Sequence, residues 1–471
     1  MQLIPSVKSP KSFVTPQSAD KAKASYDTKS KFCSAEGSAW LGTFASNSLI
    51  LACGVATGVF AARLLLPEGR GQLAVMLLWP QVIAVLGFVS LHEAMAYRLA
   101  QSIAVVNKAI VTSGLCIAGM LAVLWVIVGY NVLPYLLGSE RADWIPLAQT
   151  YCALLIPANF LTLAILGAHH GRRHYKAYNA VRLLPSAVYL LGLVTLWLFE
   201  WVSVTAAVWA SLVGTIAALA ASLYSIRREL WGRPSLIEVG ELLAFGKRAH
   251  VVTILALLCS TMDRGVVSLA WNDAAIGIFM VALTVASSGL AVVTESFQIT
   301  LFPTLAAEVD PGRQRDALAA TLRQAVALLS LGILVLIVVV PWLVPLLFGP
   351  TFSSAIVITQ VLLIAYFPAA LRQIAAHALK ALGDTGAATV SEGVVVASFL
   401  LVVGPLAWKF ELVGVAIAVL LSNVLSIAYA IRKLSQRIGL RGGQWLTMRA
   451  LKELGYAARF IATRLIARNE R

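Results

Sequence analysis

Long apolar runs recur along the whole chain, and this feature restricts its possible folds more than any other. About 20 apolar residues in a helix cross the ~30 Å hydrocarbon core of a bilayer, where only helices and closed barrels satisfy every backbone polar group. With a mean hydropathy of +0.83 and 13% charged residues, the chain is not a soluble protein. We predict an all-α, multi-pass membrane protein with about twelve crossings. The predicted crossings are 39–66, 73–98, 107–130, 144–167, 178–199, 201–225, 249–271, 275–300, 319–343, 353–376, 386–408 and 412–431.

The chain also contains an internal repeat. Residues 199–211 and 410–422 align without a gap, and seven of the thirteen pairs are identical. A second pair of segments, 66–71 and 271–277, corresponds at an offset of 205–206 positions. A hydrophobic half that occurs twice is typical of secondary transporters. Six crossings per half is an even number, so both halves share one orientation, and we expect a pseudo-twofold axis along the membrane normal with the passage between the halves.

The positions of the basic residues indicate how the chain is oriented. A net charge of +15 would suit a nucleic-acid-binding protein, but thirty of the 37 Lys and Arg residues fall in the two tails or in alternate turns. The turns between them hold only Arg70, Arg141 and Lys409. This is the positive-inside distribution, and it places both termini in the cytoplasm. We expect the excess charge to contact anionic lipids, and we expect no nucleic-acid partner.

These patterns divide the chain into five parts. The segment before the first crossing is Lys-rich and lacks the apolar region of a signal peptide. The linker between the halves includes a short predicted interfacial helix at 236–245, and the C-terminal tail alternates apolar and basic residues as an amphipathic surface helix does. The parts are a disordered basic cytoplasmic arm (1–38), an N-terminal six-helix lobe (39–226), the cytoplasmic linker (227–248), a C-terminal six-helix lobe (249–433) and the basic amphipathic cytoplasmic tail (434–471).

Three segments carry motifs of a known family. They are residues 61–74, 263–282 and 379–386; in the second, an Asp-Arg pair precedes a turn in which Phe279 stands where Tyr is usual. Together they resemble the oligosaccharide flippases, the O-antigen and polysaccharide-precursor translocators of the multidrug/oligosaccharidyl-lipid/polysaccharide exporter superfamily. The resemblance extends over 39–433 and implies two six-helix bundles that form a V around a central cavity. Such proteins move a polyprenyl-diphosphate-linked glycan from the inner to the outer leaflet of a bacterial inner membrane.

Apart from Arg98 and Arg323, which we count with the inward turns, four arginines lie within the predicted crossings, namely Arg63, Arg182, Arg264 and Arg372. An ionisable side chain at membrane depth costs roughly 2.5–3.5 kcal/mol, so each needs a partner or a function. A guanidinium group binds phosphate bidentately and stays charged, so we consider all four as substrate-binding residues of a cationic cavity. The alternative is snorkelling or structural ion pairing. We favour this alternative for Arg372 and the cavity for Arg63 and Arg182. For Arg264 an ion pair with adjacent Asp263 and contact with the substrate are equally well supported.

Four acidic residues are candidates for gating or ion coupling: Glu93, Asp263, Glu295 and Glu392. One of these carboxylates could titrate or bind Na⁺ to drive transport. They could instead close a cytoplasmic gate with nearby arginines, and we favour this second interpretation. Glu392 occupies nearly the same position in its half as Arg182 does in the other, so the two could pair across the halves.

The sequence favours transport over catalysis. The predicted outward turns are no longer than about a dozen residues, too short for the catalytic domain of a membrane transferase or polymerase, and there is no phosphate-binding loop. His169, His170 and His174 lie in a basic turn, where contact with lipid headgroups is a better interpretation than a metal site. We therefore expect no enzyme, no metal and no cofactor.

The resemblance implies a flippase for an undecaprenyl-diphosphate-type glycolipid in the bacterial cytoplasmic membrane, working by alternating access, and this is the function that we predict. A Na⁺ or H⁺ gradient is the candidate energy source. Polysaccharide polymerases and glycosyltransferases are candidate protein partners, beside anionic lipids. The alternative is a cation-coupled multidrug or toxin exporter of the same superfamily; drug cations favour an acidic cavity, whereas the first crossing offers Arg63 and no carboxylate.

Overall fold

The computed structural model describes residues 16–101, 107–227 and 232–440, and the regular elements in these ranges are all helical. Ten spans within them are long and apolar enough to cross a membrane. This confirms the predicted all-α, multi-pass class. The α-helices are α1 Pro16–Gly87, α2 Leu91–Gln101, α3 Asn107–Leu137, α4 Ile145–Gly171, α5 Tyr175–Leu198, α6 Val204–Ser225, α7 Leu236–Ala270, α8 Asp273–Ala307, α9 Pro311–Phe348, α10 Ala355–Ala381 and α11 Thr385–Ile438, with short 3-10 helices at Ser139–Trp144 and Pro350–Phe352.

Two of these elements, α1 and α11, each consist of two helices joined by a sharp bend. We call the two helices the arms of a hairpin. The backbone leaves helical geometry at Leu66 in α1 and at Glu411 in α11. In α11 the hydroxyls of Ser391 and Ser426 lie 2.8 Å apart, although 35 residues of straight helix would separate them by about 50 Å. The two arms of α1 likewise line one cavity. Dividing both hairpins gives twelve apolar helical segments in the described part of the chain.

Local sequence explains the first hairpin and a nearby break. Leu66 precedes Pro67, and a residue before proline avoids the helical region, so the first arm ends there and proline starts the second. The second arm ends at Gly87, and α2 resumes after Val89 and Ser90, both in the left-handed region. The break frees the carbonyl of Leu86, which accepts a hydrogen bond of 2.9 Å from the ring of His250 on α7.

The two halves of the chain meet where α1 packs against α8. A Cβ atom on Gly71 would overlap the carbonyl oxygen of Asp273, and one on Gly277 would overlap the carbonyl oxygen of Pro67. These contacts are reciprocal, because positions 67 and 273 and positions 71 and 277 share one offset in the repeat. Reciprocal contacts of this kind are the signature of twofold packing. The internal repeat therefore corresponds to a pseudo-twofold interface where the second arm of α1 packs against the start of α8.

The observed helices differ from the predicted bounds of the N-terminal arm, the linker and the C-terminal part of the chain. Helix α1 begins at Pro16, so it includes most of the segment expected to be a disordered arm. The helix predicted at 236–245 is not a separate element, because it forms the first turns of α7. The amphipathic tail beyond residue 440 lies outside the described residues. Helix α11 extends the second half to Ile438.

Candidate functional site

A cavity of about 420 Å³ lies between the two halves. We call it the central cavity. Both arms of α1 and helices α4, α5 and α6 contribute from the first half, and α7 and α8 contribute from the second. Its polar lining residues are Thr57, Arg70, Gln81, Tyr151, Ser186, Tyr189, Ser211, Thr261, Arg264, Ser268 and Thr284.

The two cations of the central cavity are Arg70 and Arg264, one from each half. They lie close enough to interact electrostatically. Each has a buried Nε atom without a hydrogen-bond partner among the described residues. Arg264 donates from Nη2 to the carbonyl of Ser260 at 2.5 Å, and its Nε lies 4.0 Å from the carboxylate of Asp263. Neither guanidinium group is therefore fully satisfied by the protein.

The described residues that line the central cavity include no aspartate or glutamate. Asp263 is buried beside the cavity, where its Oδ1 accepts the backbone N–H of Arg264 at 2.7 Å. Two arginines facing one space without a lining carboxylate repel each other and attract anions. The cavity is consequently suited to a ligand that carries negative charge.

A second cavity of about 400 Å³ lies within the first half, and we call it the side cavity. Residues of α1, α2, α4, α5 and α6 line it, among them the predicted candidates Arg182 and Glu93. Arg182 donates to Asn47 at 3.1 Å, and its guanidinium carbon lies 5.2 Å from the ring centre of Tyr178. Arg182 does not pair with Glu392, as the repeat suggested it could, because Glu392 has a different partner.

That partner is Arg372, which lies inside the second half. Its Nη1 donates to the carboxylate of Glu392 at 2.6 Å, and its Nε donates to Asn423 at 3.0 Å. The Arg372 side chain is 6% exposed. Arg372 and Glu392 thus form a buried ion pair that joins α10 to α11, and neither lines the central or the side cavity.

Arg63 and Arg141 connect the halves on the side predicted to face outward. Arg63 donates to the carbonyls of Leu346 and Leu347, near the C-terminal end of α9. Arg141 donates to Asp273 and to the carbonyls of Ser268 and Trp271, at the C-terminal end of α7. The last carbonyls of a helix lack helical partners and carry partial negative charge, so both arginines act as cationic caps across the interface.

The remaining acidic candidate, Glu295, is an exposed residue on α8 and lines neither cavity. Of the eight charged candidates from the sequence, the structure brings Arg264 to the central cavity, with Asp263 beside it, and Arg182 and Glu93 to the side cavity. It assigns Arg63, Arg372 and Glu392 to contacts between helices.

Sequence reasoning missed Arg70 and Arg141, although the sequence contained a signal for both. They are two of the three basic residues in turns where the positive-inside pattern predicts none. The structure places both at the interface of the halves. The third exception, Lys409, is exposed and lies near the ring of Phe410. Exceptions to the charge pattern were therefore the better guide to interface residues.

Comparison with known proteins adds the following. The sequence profile of a family described as "Polysaccharide biosynthesis protein" matches residues 60–357, more than half of the chain. No curated protein matches the sequence as a relative.

Solved transporter structures share the fold. The inward-facing conformation of a multidrug resistance MATE family transporter of the MOP superfamily is 14% identical, with a TM-score of 0.67 over 82% of this chain and 95% of that one. The lipid II flippase MurJ in an inward closed conformation is 13% identical, with a TM-score of 0.69 over 88% and 91%. An outward-facing MATE transporter is 14% identical, with a TM-score of 0.57 over 84% and 94%. These likenesses confirm the transporter fold that the sequence motifs indicated.

Proposed function

The chain belongs to the polysaccharide biosynthesis protein family, and on that premise we propose that it moves a polyprenyl-diphosphate-linked oligosaccharide from the inner to the outer leaflet of a bacterial cytoplasmic membrane. The protein is a multi-pass membrane protein with the fold of MOP-superfamily transporters. Its family and the similar solved structures set the class of function. The cavities of this chain support the cargo proposed here.

The observation that carries the proposal is the pair of arginines in the central cavity. A diphosphate offers several anionic oxygens, and guanidinium groups bind such oxygens bidentately. Arg70 and Arg264 approach one space from opposite halves, and the described lining has no carboxylate. Asp263, beside the lining, lies 4.0 Å from Nε of Arg264 and offsets only one of the two positive charges. A diphosphate bound between them would contact both halves at once. Cargo binding would then be sensitive to how the halves are arranged.

The contacts between the halves support an alternating-access mechanism. On the predicted outer side, Arg63, Arg141 and the close approach of Gly71 to Asp273 hold the halves together. The TM-scores agree with this arrangement, because they are higher for the inward-facing and inward closed structures than for the outward-facing one. In the proposed cycle, cargo enters from the cytoplasmic side, these outer contacts separate, and the diphosphate is released outward.

The same observations argue against a multidrug exporter. Cationic drugs are attracted by negative charge, whereas the described lining of the central cavity presents two arginines and no carboxylate. Tyr151 and Tyr189 also line the cavity, but the two positive charges oppose a cation beside them. Lipid-linked glycan therefore fits the described lining better than an organic cation does.

The proposal includes the setting of the protein. Both termini lie in the cytoplasm, because the basic residues concentrate on the side of the chain ends. Glycosyltransferases that build the glycan and a polymerase that extends it are the proposed functional partners. A Na⁺ or H⁺ gradient is the proposed energy source. We assign the chain no catalytic step of its own.

A deletion strain tests the proposal. The source organism without this gene should lose its surface polysaccharide and accumulate the lipid-linked precursor on the cytoplasmic face. The wild-type gene should restore display, whereas Arg70→Gln with Arg264→Gln should not. The matched control, Lys409→Gln with Arg432→Gln, removes two exposed positive charges and should restore display. Full display with the cavity variant, at equal protein level in the membrane, would contradict the proposal.

A further inference from the structure

Two buried polar atoms of the side cavity have no hydrogen-bond partner among the described residues. They are Oγ1 of Thr162 on α4 and Nδ1 of His92 on α2. The Thr162 residue is only 7% exposed. A buried polar atom that loses water without gaining a partner destabilises the folded state, so native proteins rarely leave one unpaired. Both atoms belong to residues that line one cavity, which points to a polar molecule as the occupant of that cavity.

Thr162 differs from other threonines in these helices. A helical threonine usually donates to the carbonyl four residues earlier. Thr150 in the same helix does so at 2.8 Å, and the buried Thr359 of α10 does so at 2.7 Å. The hydroxyl of Thr162 makes no such bond, and the residue lines the side cavity. It is available to a ligand as both donor and acceptor.

The chemistry of the side cavity differs from that of the central cavity. Glu93 offers acceptors, while Arg182 and Asn159 offer donors, and all three line the same space. Sugar hydroxyls donate and accept at once, so a mixed lining of this kind suits a pyranose. An unbalanced positive lining, as around Arg70, suits a diphosphate instead. The volume of about 400 Å³ falls in the usual range of small-molecule sites.

The two cavities adjoin each other. Pro185 lines both. Gln81 lines the central cavity and accepts a hydrogen bond from Asn159, which lines the side cavity. That bond is 3.5 Å long, near the limit for any hydrogen bond, so these two side chains separate the cavities only weakly. Separation of these two amides would join the cavities into one elongated site.

We propose that the side cavity is a sugar subsite that binds the first sugar of the cargo, while Arg70 and Arg264 hold the diphosphate. This inference rests on the function proposed above. The first sugar of such a lipid is bonded directly to the diphosphate, and therefore its subsite has to adjoin the phosphate subsite, as the side cavity does. Thr162 and His92 then gain their missing partners from sugar hydroxyls.

Binding measurements on the purified full chain in lipid nanodiscs test the inference. The probes are farnesyl diphosphate and farnesyl diphosphate carrying one glucose, galactose or N-acetylglucosamine unit. At least one sugar-bearing probe should bind wild type more tightly than the bare lipid does. Thr162→Val should reduce that sugar advantage by roughly threefold to tenfold, the usual effect of one hydrogen bond, and should leave the affinity for the bare lipid unchanged. Thr359→Val, a buried threonine of the other half, should retain the advantage.

The outcomes separate this inference from the function it rests on. If farnesyl diphosphate binds through Arg70 but no sugar adds affinity, the sugar subsite is wrong and the flippase proposal stands. The same conclusion follows if Thr162→Val retains the full sugar advantage, in which case the side cavity holds only water. If farnesyl diphosphate fails to bind, or binds equally well to Arg70→Gln, the proposed function itself is wrong.

Discussion

Nε of Arg141 lies 2.7 Å from Oδ1 of Asp273, and this ion pair connects the first half of the chain to the second. The arginine side chain is 9% exposed and the aspartate side chain 16%. Asp273 also begins α8, where a carboxylate is favoured by the positive end of the helix dipole. The pair therefore fixes the end of α7 and the start of α8 to the 3-10 helix that follows α3.

We predict that Arg141→Ala favours an outward-open state. Removal of one partner of a buried ion pair costs about 3 kcal/mol, enough to change the ratio of two conformations by roughly a hundredfold. The measurement uses a variant whose native cysteines are serine and whose Thr57, in the central cavity, is cysteine. A membrane-impermeant maleimide added from the outer side should label it much faster in Arg141→Ala. Lys409→Ala, which removes an exposed cation from the side predicted to face outward, should leave the rate unchanged.

The reciprocal glycine contacts predict a second effect. A methyl group at Gly71 would overlap the carbonyl of Asp273, so Gly71→Ala should destabilise the outer closure, and Gly277→Ala should act likewise against Pro67. Overpacking of this kind costs about 1–3 kcal/mol. Faster outer labelling of the same Thr57→Cys reporter is the expected result. Gly119→Ala provides the matched control, because a Cβ there meets nothing within 4 Å; if it accelerates labelling as much as Gly71→Ala does, the close packing is irrelevant to closure.

The buried pair of Arg372 and Glu392 predicts a loss of stability rather than a loss of cargo binding. Arg372→Met leaves the carboxylate buried without its cation, which costs about 3–5 kcal/mol. A clear fall in the thermal unfolding midpoint in detergent is the expected result. The double change Arg372→Met with Glu392→Met should recover much of that loss, since it leaves no unpaired charge. Weaker binding of farnesyl diphosphate to a well-folded Arg372→Met protein would show that this arginine contacts cargo after all.

Most of the fold could be predicted from the sequence, because few backbone structures satisfy all of their hydrogen bonds in the hydrocarbon core of a bilayer. Each apolar run has to be a helix, and very short turns such as the one at Glu411 force neighbouring helices to be antiparallel. The repeat predicted the correspondence of 66–71 with 271–277, which the structure realises as a reciprocal contact. The helix predicted as a separate element at 236–245 is instead the start of α7, because the sequence pattern of a partly polar helix does not show whether the helix continues into the next crossing. Arg98 and Glu238, paired at 2.9 Å, hold it against α2.

The candidate site was harder to predict than the fold. Hydropathy indicates how deep in the membrane a charged residue lies, but not which cavity or neighbouring residue its side chain faces. Arg264 and Arg372 both follow apolar stretches, yet one faces the central cavity and the other faces Glu392. Only tertiary packing distinguishes them. Arg70 was assigned to the turn between the predicted crossings 39–66 and 73–98, whereas the helix already begins at Pro67 and Arg70 lines the central cavity.

The central claim is that Arg70 and Arg264 hold the diphosphate, and the affinity of the purified protein for farnesyl diphosphate tests it most directly. Each charge-assisted hydrogen bond contributes about 1.5–3 kcal/mol, so Arg70→Gln with Arg264→Gln should weaken binding by at least tenfold. Lys409→Gln with Arg432→Gln, which removes the same charge from exposed positions, should bind as wild type does. Equal affinity in the cavity variant and wild type, or an equal loss in both double variants, would contradict the account.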